Sequence, residues 1–150
     1  MSTHAAELEQ EFEAPSEVLT LVLNAAEHLG ASPELAAEAA RTGVFELQSR
    51  RVSVAVAPDE TALLLTTDLI EAWAADPACR TQALRANTTL LLQAGVVFCL
   101  TMAGPALICR WRLEQADAGL LAAWIREFAL MANAMDAGAS AAPTGATKEI

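Results

Sequence analysis

A chain of 150 residues is the length of one ordinary domain, and 54% hydrophobic residues are enough to build a core. Nineteen Asp and Glu against nine Lys and Arg leave a net charge of −10, which repels phosphate backbones and anionic membrane surfaces and argues against nucleic acid as a partner. Three cysteines without paired spacing argue against a disulfide framework and for a reducing compartment.

Residues 1–15 carry Glu7, Glu9, Glu11 and Glu13, no Lys or Arg, and little to bury, so a disordered acidic arm is expected. It has neither a basic n-region nor an apolar h-region, so no secretory signal is expected. Ser16 is placed to cap a helix running to about Leu29 and closed by Gly30. Val18, Leu21, Val22, Ala25 and Leu29 form one apolar stripe on it, with Leu19, Leu23 and Ala26 in a second stripe alongside. Ser32-Pro33-Glu34 starts a shorter helix that stops near Thr42-Gly43.

Val44–Gln48, Arg51–Ala57 and Thr61–Thr67 are three short runs rich in Val, Leu and Thr and read as an antiparallel meander. With Ser49-Arg50 as a two-residue turn, Leu47 faces Val52 and Phe45 faces Val54. These four and Val56 then share one face, leaving Glu46, Arg51 and Ser53 on the other. Asp68–Ala75 carries Trp73 in a short helix or loop ended by Asp76-Pro77, and a second major helix spans about Arg80–Ala94, stopped by Gly95. Strands Val96–Met102 and Pro105–Leu113 follow, joined by Ala103-Gly104. That turn pairs Phe98 with Cys109, Leu100 with Leu107 and Val96 with Trp111. Val97, Cys99, Thr101, Ile108, Arg110 and Arg112 then lie on the opposite face. Asp117 caps a last helix to about Met135, with Leu121, Trp124, Ile125, Phe128, Ala132 and Met135 as its core stripe.

The result is an α+β fold: an antiparallel sheet of about five strands with helices packed on it, in the order α-βββ-α-ββ-α. The domain occupies residues 16–136, and the Ala-, Gly-, Ser- and Thr-rich residues 137–150 read as a disordered tail. Residues 86–109 hold no charge and are long enough to span a bilayer. They contain Asn87, Gln93, Gly95, Gly104 and Pro105, however, so a helix followed by a buried hairpin is expected instead of membrane insertion.

No constellation for chemistry is visible. His4 and His28 are the only histidines, neither with a partner at metal-ligand spacing, so no metal or cofactor is expected. Cys79, Cys99 and Cys109 read as buried thiols, and opposite faces keep Cys99 and Cys109 from bonding. Phosphate-cradling glycine motifs and a catalytic triad are both missing, so no catalytic residue is assigned. Two features stand out: the second apolar stripe of the first helix, and the mixed outer face of the second hairpin. Each is either covered within the fold or a docking surface for another chain.

Leu84-Arg85-Ala86-Asn87 with Leu90-Leu91-Leu92, then Ala94-Gly95-Val96-Val97-Phe98-Cys99-Leu100, resembles the Ala-Asn helix and Gly-led apolar strand of the class I type III secretion chaperones, the Tir-chaperone family. Leu19-Thr20-Leu21 through Leu29-Gly30 resembles that family's opening helix. Arg110-Trp111-Arg112-Leu113 with Asp117–Met135 resembles its last strand and closing helix. The likeness covers about residues 16–136. The helix between Ser32 and Gly43, the Pro58 turn and residues 68–79 depart from the pattern. The resemblance implies a non-catalytic, cytoplasmic bacterial homodimer serving virulence. Its partners would be the N-terminal segments of secreted effectors, kept unfolded, and the export ATPase. A broad-specificity chaperone of a plant-associated bacterium is one option. It places Leu84, Thr88 and Leu91 at the dimer interface and Leu19, Leu23, Val97, Cys99, Ile108 and Arg110 along the cargo. A regulatory or scaffold domain without an export role is the alternative, and an enzyme with a cofactor pocket a third.

Overall fold

The computed structural model describes residues 11–47 and 50–148, with side chains to Ala139. Helix α1 is Ser16–His28 and buries Val18, Leu21, Val22, Ala25 and Ala26. Pro15, not Ser16, stands at its capping position, and no side chain caps it. Helix α2, Pro33–Thr42, starts under Ser32, whose hydroxyl accepts from the Leu35 N–H at 3.2 Å. Gly43 ends it at φ 73. A Cβ there would stand 3.0 Å from both the Phe12 ring and the Val54 carbonyl oxygen, so conformation and space both demand glycine.

Strands β1 (Val44–Leu47), β2 (Arg50–Val56) and β3 (Ala62–Asp68) form the expected meander. The one-turn helix α3 (Ala72–Ala75) carries Trp73, and α4 (Pro77–Ala94) begins at Pro77, a turn earlier than Arg80. The Asp76 carboxylate caps α4 by accepting from Ala78 N–H at 2.9 Å. Strands β4 (Val96–Thr101) and β5 (Gly104–Arg112), a 3-10 turn at Leu113–Gln115 and α5 (Ala118–Lys148) complete the chain. The sheet is antiparallel throughout, in the order β1-β2-β3-β5-β4. The α+β architecture is therefore as expected, with α2 and α3 added to the simple order.

Both hairpins keep their expected faces and shift their expected register. Phe45 pairs with Val52 and Leu47 with Arg50, so Arg50 belongs to β2 and not to a turn, while Ser49 lies outside the described residues. Phe98 pairs with Leu107 and Val96 with Cys109, so the second turn is Met102-Ala103, not Ala103-Gly104. A slip of two residues preserves parity, so no side chain changes face. Alternation decides the face, and only the turn decides the register.

Phe45, Val52, Val54, Leu63, Leu65, Val96, Phe98, Leu107, Cys109 and Trp111 are buried on the inner face, with Leu121, Ile125 and Phe128 of α5 in the same core. Helix α1 lies against α2 and α5, and α3 sets Trp73 edge-on to Phe98 with ring centroids 6.4 Å apart. Leu64 is half-buried on the outer face, while Leu63 and Leu65 are fully buried inside.

The register shift also moves Arg50 from a turn into the inner face of β2. Its guanidinium donates to Asn133 Oδ1 at 2.7 Å, Thr67 Oγ1 at 3.1 Å, the Asp68 carbonyl and the Asp136 carboxylate. The second carboxylate oxygen of Asp136 accepts from Ile70 N–H at 3.0 Å. Asp136 can do this because α5 continues past Met135, where the sequence ends the helix, and reaches Lys148. At the other end of the chain, Phe12 rests on Gly43 and donates its N–H to the Arg41 carbonyl at 2.8 Å. The rest of the arm, residues 1–10, lies outside the described residues.

Candidate protein-docking surfaces

Helix α4 is 18 residues long, yet only Cys79 and Ala83 along it are buried. The Asn87 side chain ties it to the outer edge of the sheet. Its amide donates to the Phe98 carbonyl at 3.1 Å and its oxygen accepts from the Phe98 N–H at 2.6 Å. Asn87 thus occupies the N–H and C=O that Phe98 turns to the outer edge of β4, two of the groups that an added strand would use. The side of α4 turned away from the sheet carries Leu84, Thr88, Leu91 and Leu92, all exposed. Leu84 is 51% exposed, Leu91 55% and Leu92 80%, an apolar stripe at i, i+7 and i+8 that nothing among the described residues covers. The exposed Leu100 and Met102 lie at the end of β4 and in its turn. Leu92 entered the sequence reading only as part of the 84–100 motif, Leu100 as part of that motif and of the hairpin, and Met102 only as a strand end; the helical spacing of Leu92 with Leu84 was the available signal for the first of them.

The outer face of the sheet forms a second surface. Val97 pairs with Ile108, Cys99 with Ala106, and Leu64 with Arg110. Val97, Cys99, Ile108 and Leu64 are half-buried, and Arg110 is exposed. The Arg110 guanidinium donates to Thr61 Oγ1 at 2.9 Å and reaches Asp59 at 3.4 Å. Hydrogen bonds from the Thr61 N–H and hydroxyl, and then from Arg110, hold the Asp59 carboxyl below its ordinary range. Arg110 is therefore tied to the β2–β3 turn beside the apolar strip.

Leu19 and Leu23 are half-buried on α1, in the layer that covers the inner face. The sheet thus stands between them and Val97, Cys99 and Ile108, and the structure does not bring the two halves of that set together. A third surface replaces the continuity. A groove of about 820 Å³ opens where the C-terminal end of α1 and α2 meet β1 and α5. Leu29, Leu35, Leu47 and Leu130 line it, and Arg41, Arg51 and Arg126 rim it. Strand β1 is an edge of the five-stranded sheet, so among the described residues this groove adjoins backbone that has no strand beyond it.

The chemistry of the thiols is that of packing. Cys109 is buried and accepts from Trp124 Nε1–H at 3.2 Å. Burial pushes its pKa up to about 11, against a smaller lowering by that hydrogen bond. Burial also raises Cys79 and Cys99, the latter on the opposite face from Cys109 as expected. All three are free thiols. Among the described residues no three His, Cys, Asp or Glu side chains gather as a metal site, and no helix is long and apolar enough to cross a membrane. The uncharged stretch 86–109 is divided between α4, β4 and β5.

Comparison with known proteins gives a consistent result. One solved structure, of the HopA1–SchA chaperone–effector complex, contains a chain similar in fold, with a TM-score of 0.60 at 14% identity, over 81% of this chain and 96% of that one. No curated protein matches the sequence. The family model of the Tir chaperone protein (CesT) family matches residues 20–134, from the first turns of α1 to the middle of α5. That span takes in every strand of the sheet, and the chain belongs to the Tir chaperone protein (CesT) family.

Proposed function

We propose that this chain is a type III secretion chaperone that binds the N-terminal segment of secreted effectors, keeps it unfolded and delivers it to the export machinery and its ATPase. Membership of the CesT family across residues 20–134 carries the reading. The geometry supports it, because holding a segment unfolded needs long apolar surfaces and backbone to pair with, and no chemistry. The chain works as a cytoplasmic bacterial homodimer, without catalytic activity. The exposed stripe of α4, with Leu84, Thr88 and Leu91, packs against its copy, since burying one large aliphatic side chain contributes about 1.5–3 kcal/mol. The effector runs over Val97, Cys99, Ile108 and Arg110 on the outer face, and separately past Leu19 and Leu23 on α1.

Light scattering of the purified chain, alone and with effector N-terminal fragments, tests both parts. A particle of about twice 15.8 kDa that gains the mass of a fragment is expected. A monomer that ignores every fragment would overturn the proposal and favour a scaffold domain.

A further inference from the structure

The sequence of β4 does nothing to blunt its place at the edge of the sheet. Val96–Thr101 reads Val-Val-Phe-Cys-Leu-Thr, without Pro, and no charge falls anywhere in residues 86–109. Short uncharged segments rich in β-branched and aromatic residues pair with copies of themselves when they stand on an open edge. The opposite edge differs, because β1 carries Glu46, ion-paired with Arg51 at 2.8 Å. At the β4 edge the protecting group is the Asn87 amide, which holds the N–H and the C=O of Phe98. Alternate residues of an antiparallel strand turn both backbone groups to the same side. With Phe98 bonded to Asn87, the outward-turned residues of β4 are therefore Val96, Phe98 and Leu100, and Phe98 is the middle one. An incoming strand meets an edge of six residues whose centre is already taken.

We propose that the β4 edge is a latent interface for the β4 of a second copy of this chain, and that Asn87 keeps it closed. A strand paired antiparallel with its own copy makes an isologous contact. Centred on Phe98, that contact sets apolar residues against apolar residues, with no charge on either strand to oppose it. Asn87 withdraws the two central hydrogen bonds from the pairing and leaves only those of Val96 and Leu100. Asparagine suits the task because one short side chain offers both a donor and an acceptor, where aspartate lacks the donor and leucine lacks both. Copies are then left to meet through side chains, and not through strand backbone. The inference does not rest on the chaperone reading, because the edge needs closing whether or not the chain binds effectors.

The test compares the full chain with Asn87→Leu, which removes both hydrogen bonds at similar volume, by amide hydrogen exchange and sedimentation. In freshly prepared Asn87→Leu the Phe98 amide should exchange about tenfold faster or more, while Val97 and Cys99, bonded to β5, stay protected. On standing, the variant should grow into species larger than the native particle that bind thioflavin. Adding Leu100→Lys puts a charge on the same edge at an exposed position and should return the variant to the native mass. Asn87→Leu that keeps the native mass would overturn the proposal. So would growth that Leu100→Lys leaves unchanged, because loss of the fold, and not strand pairing, would then be its cause. Failure of every effector fragment to bind sinks the chaperone reading and leaves this result standing.

Discussion

Arg50 is the residue on which the inner face turns. A guanidinium 9% exposed among apolar side chains is unfavourable unless its donors are used. Asn133, Thr67, the Asp68 carbonyl and Asp136 use them, tying β2, the end of β3 and α5 into one network. Arg50→Ala strands the largely buried Asp136 carboxylate and should lower stability by about 2–3 kcal/mol in urea unfolding. In a double-mutant cycle Asp136→Ala should then cost much less on the Arg50→Ala background than alone. Additive losses would show that the pair is not coupled. Cys109 supplies a second prediction at this scale. Its folded pKa of about 11 lies above the ordinary 9.0, so the neutral thiol stabilises the fold fully below pH 9. That contribution, about 2–3 kcal/mol by linkage, is lost as the pH rises from 9 to 11. Melting curves of the native chain should fall more steeply over this interval than those of Cys109→Ala, and parallel curves would refute the assignment.

At the scale of elements, α4 does two jobs with two sides. Asn87 on one side holds Phe98 at the β4 edge, and Leu84, Leu91 and Leu92 on the other are exposed. Placing a charge in the uncovered stripe costs the monomer little and a paired helix much. Leu91→Glu should therefore leave the melting temperature of the isolated subunit almost unchanged and reduce the solution mass from about twice 15.8 kDa to 15.8 kDa. Retention of the full mass by sedimentation would place the dimer elsewhere. The outer face of β4 and β5 makes a parallel case. Ile108 sits between Val97 and Thr66 in the sheet, only half-buried, so Ile108→Asp changes the surface more than the core. A loss of about tenfold or more in affinity for an effector fragment, with circular dichroism unchanged, is expected if cargo crosses this face. Unchanged affinity would restrict cargo to the α1 side.

For the whole molecule, the sheet is a wall with a dry inner side and a half-wet outer side, and the three uncovered surfaces lie around it. The α4 stripe suits a second copy. The outer face and the β1 groove suit an extended chain, since one offers an apolar strip beside a held arginine and the other the edge strand of the described sheet. A net charge of −10 keeps such apolar surfaces from associating indiscriminately and favours segments of opposite charge.

The sequence by itself determined the elements and their faces. Period-two alternation in residues 96–101 and 105–112 separated Cys99 from Cys109, and helical spacing marked Leu121, Ile125 and Phe128 as one core stripe. These are local properties of the chain, set by the 3.6- and 2-residue repeats of the backbone. Only the tertiary structure decided the register of both hairpins, because a two-residue slip leaves alternation intact. It alone also put Arg50 and Asp136 in contact, which are far apart in the chain. Finally, it assigned Leu19 and Leu23 to a different side of the sheet from Val97 and Ile108. Which side a helix packs on is a choice between whole layers, and the pattern of one helix looks the same either way.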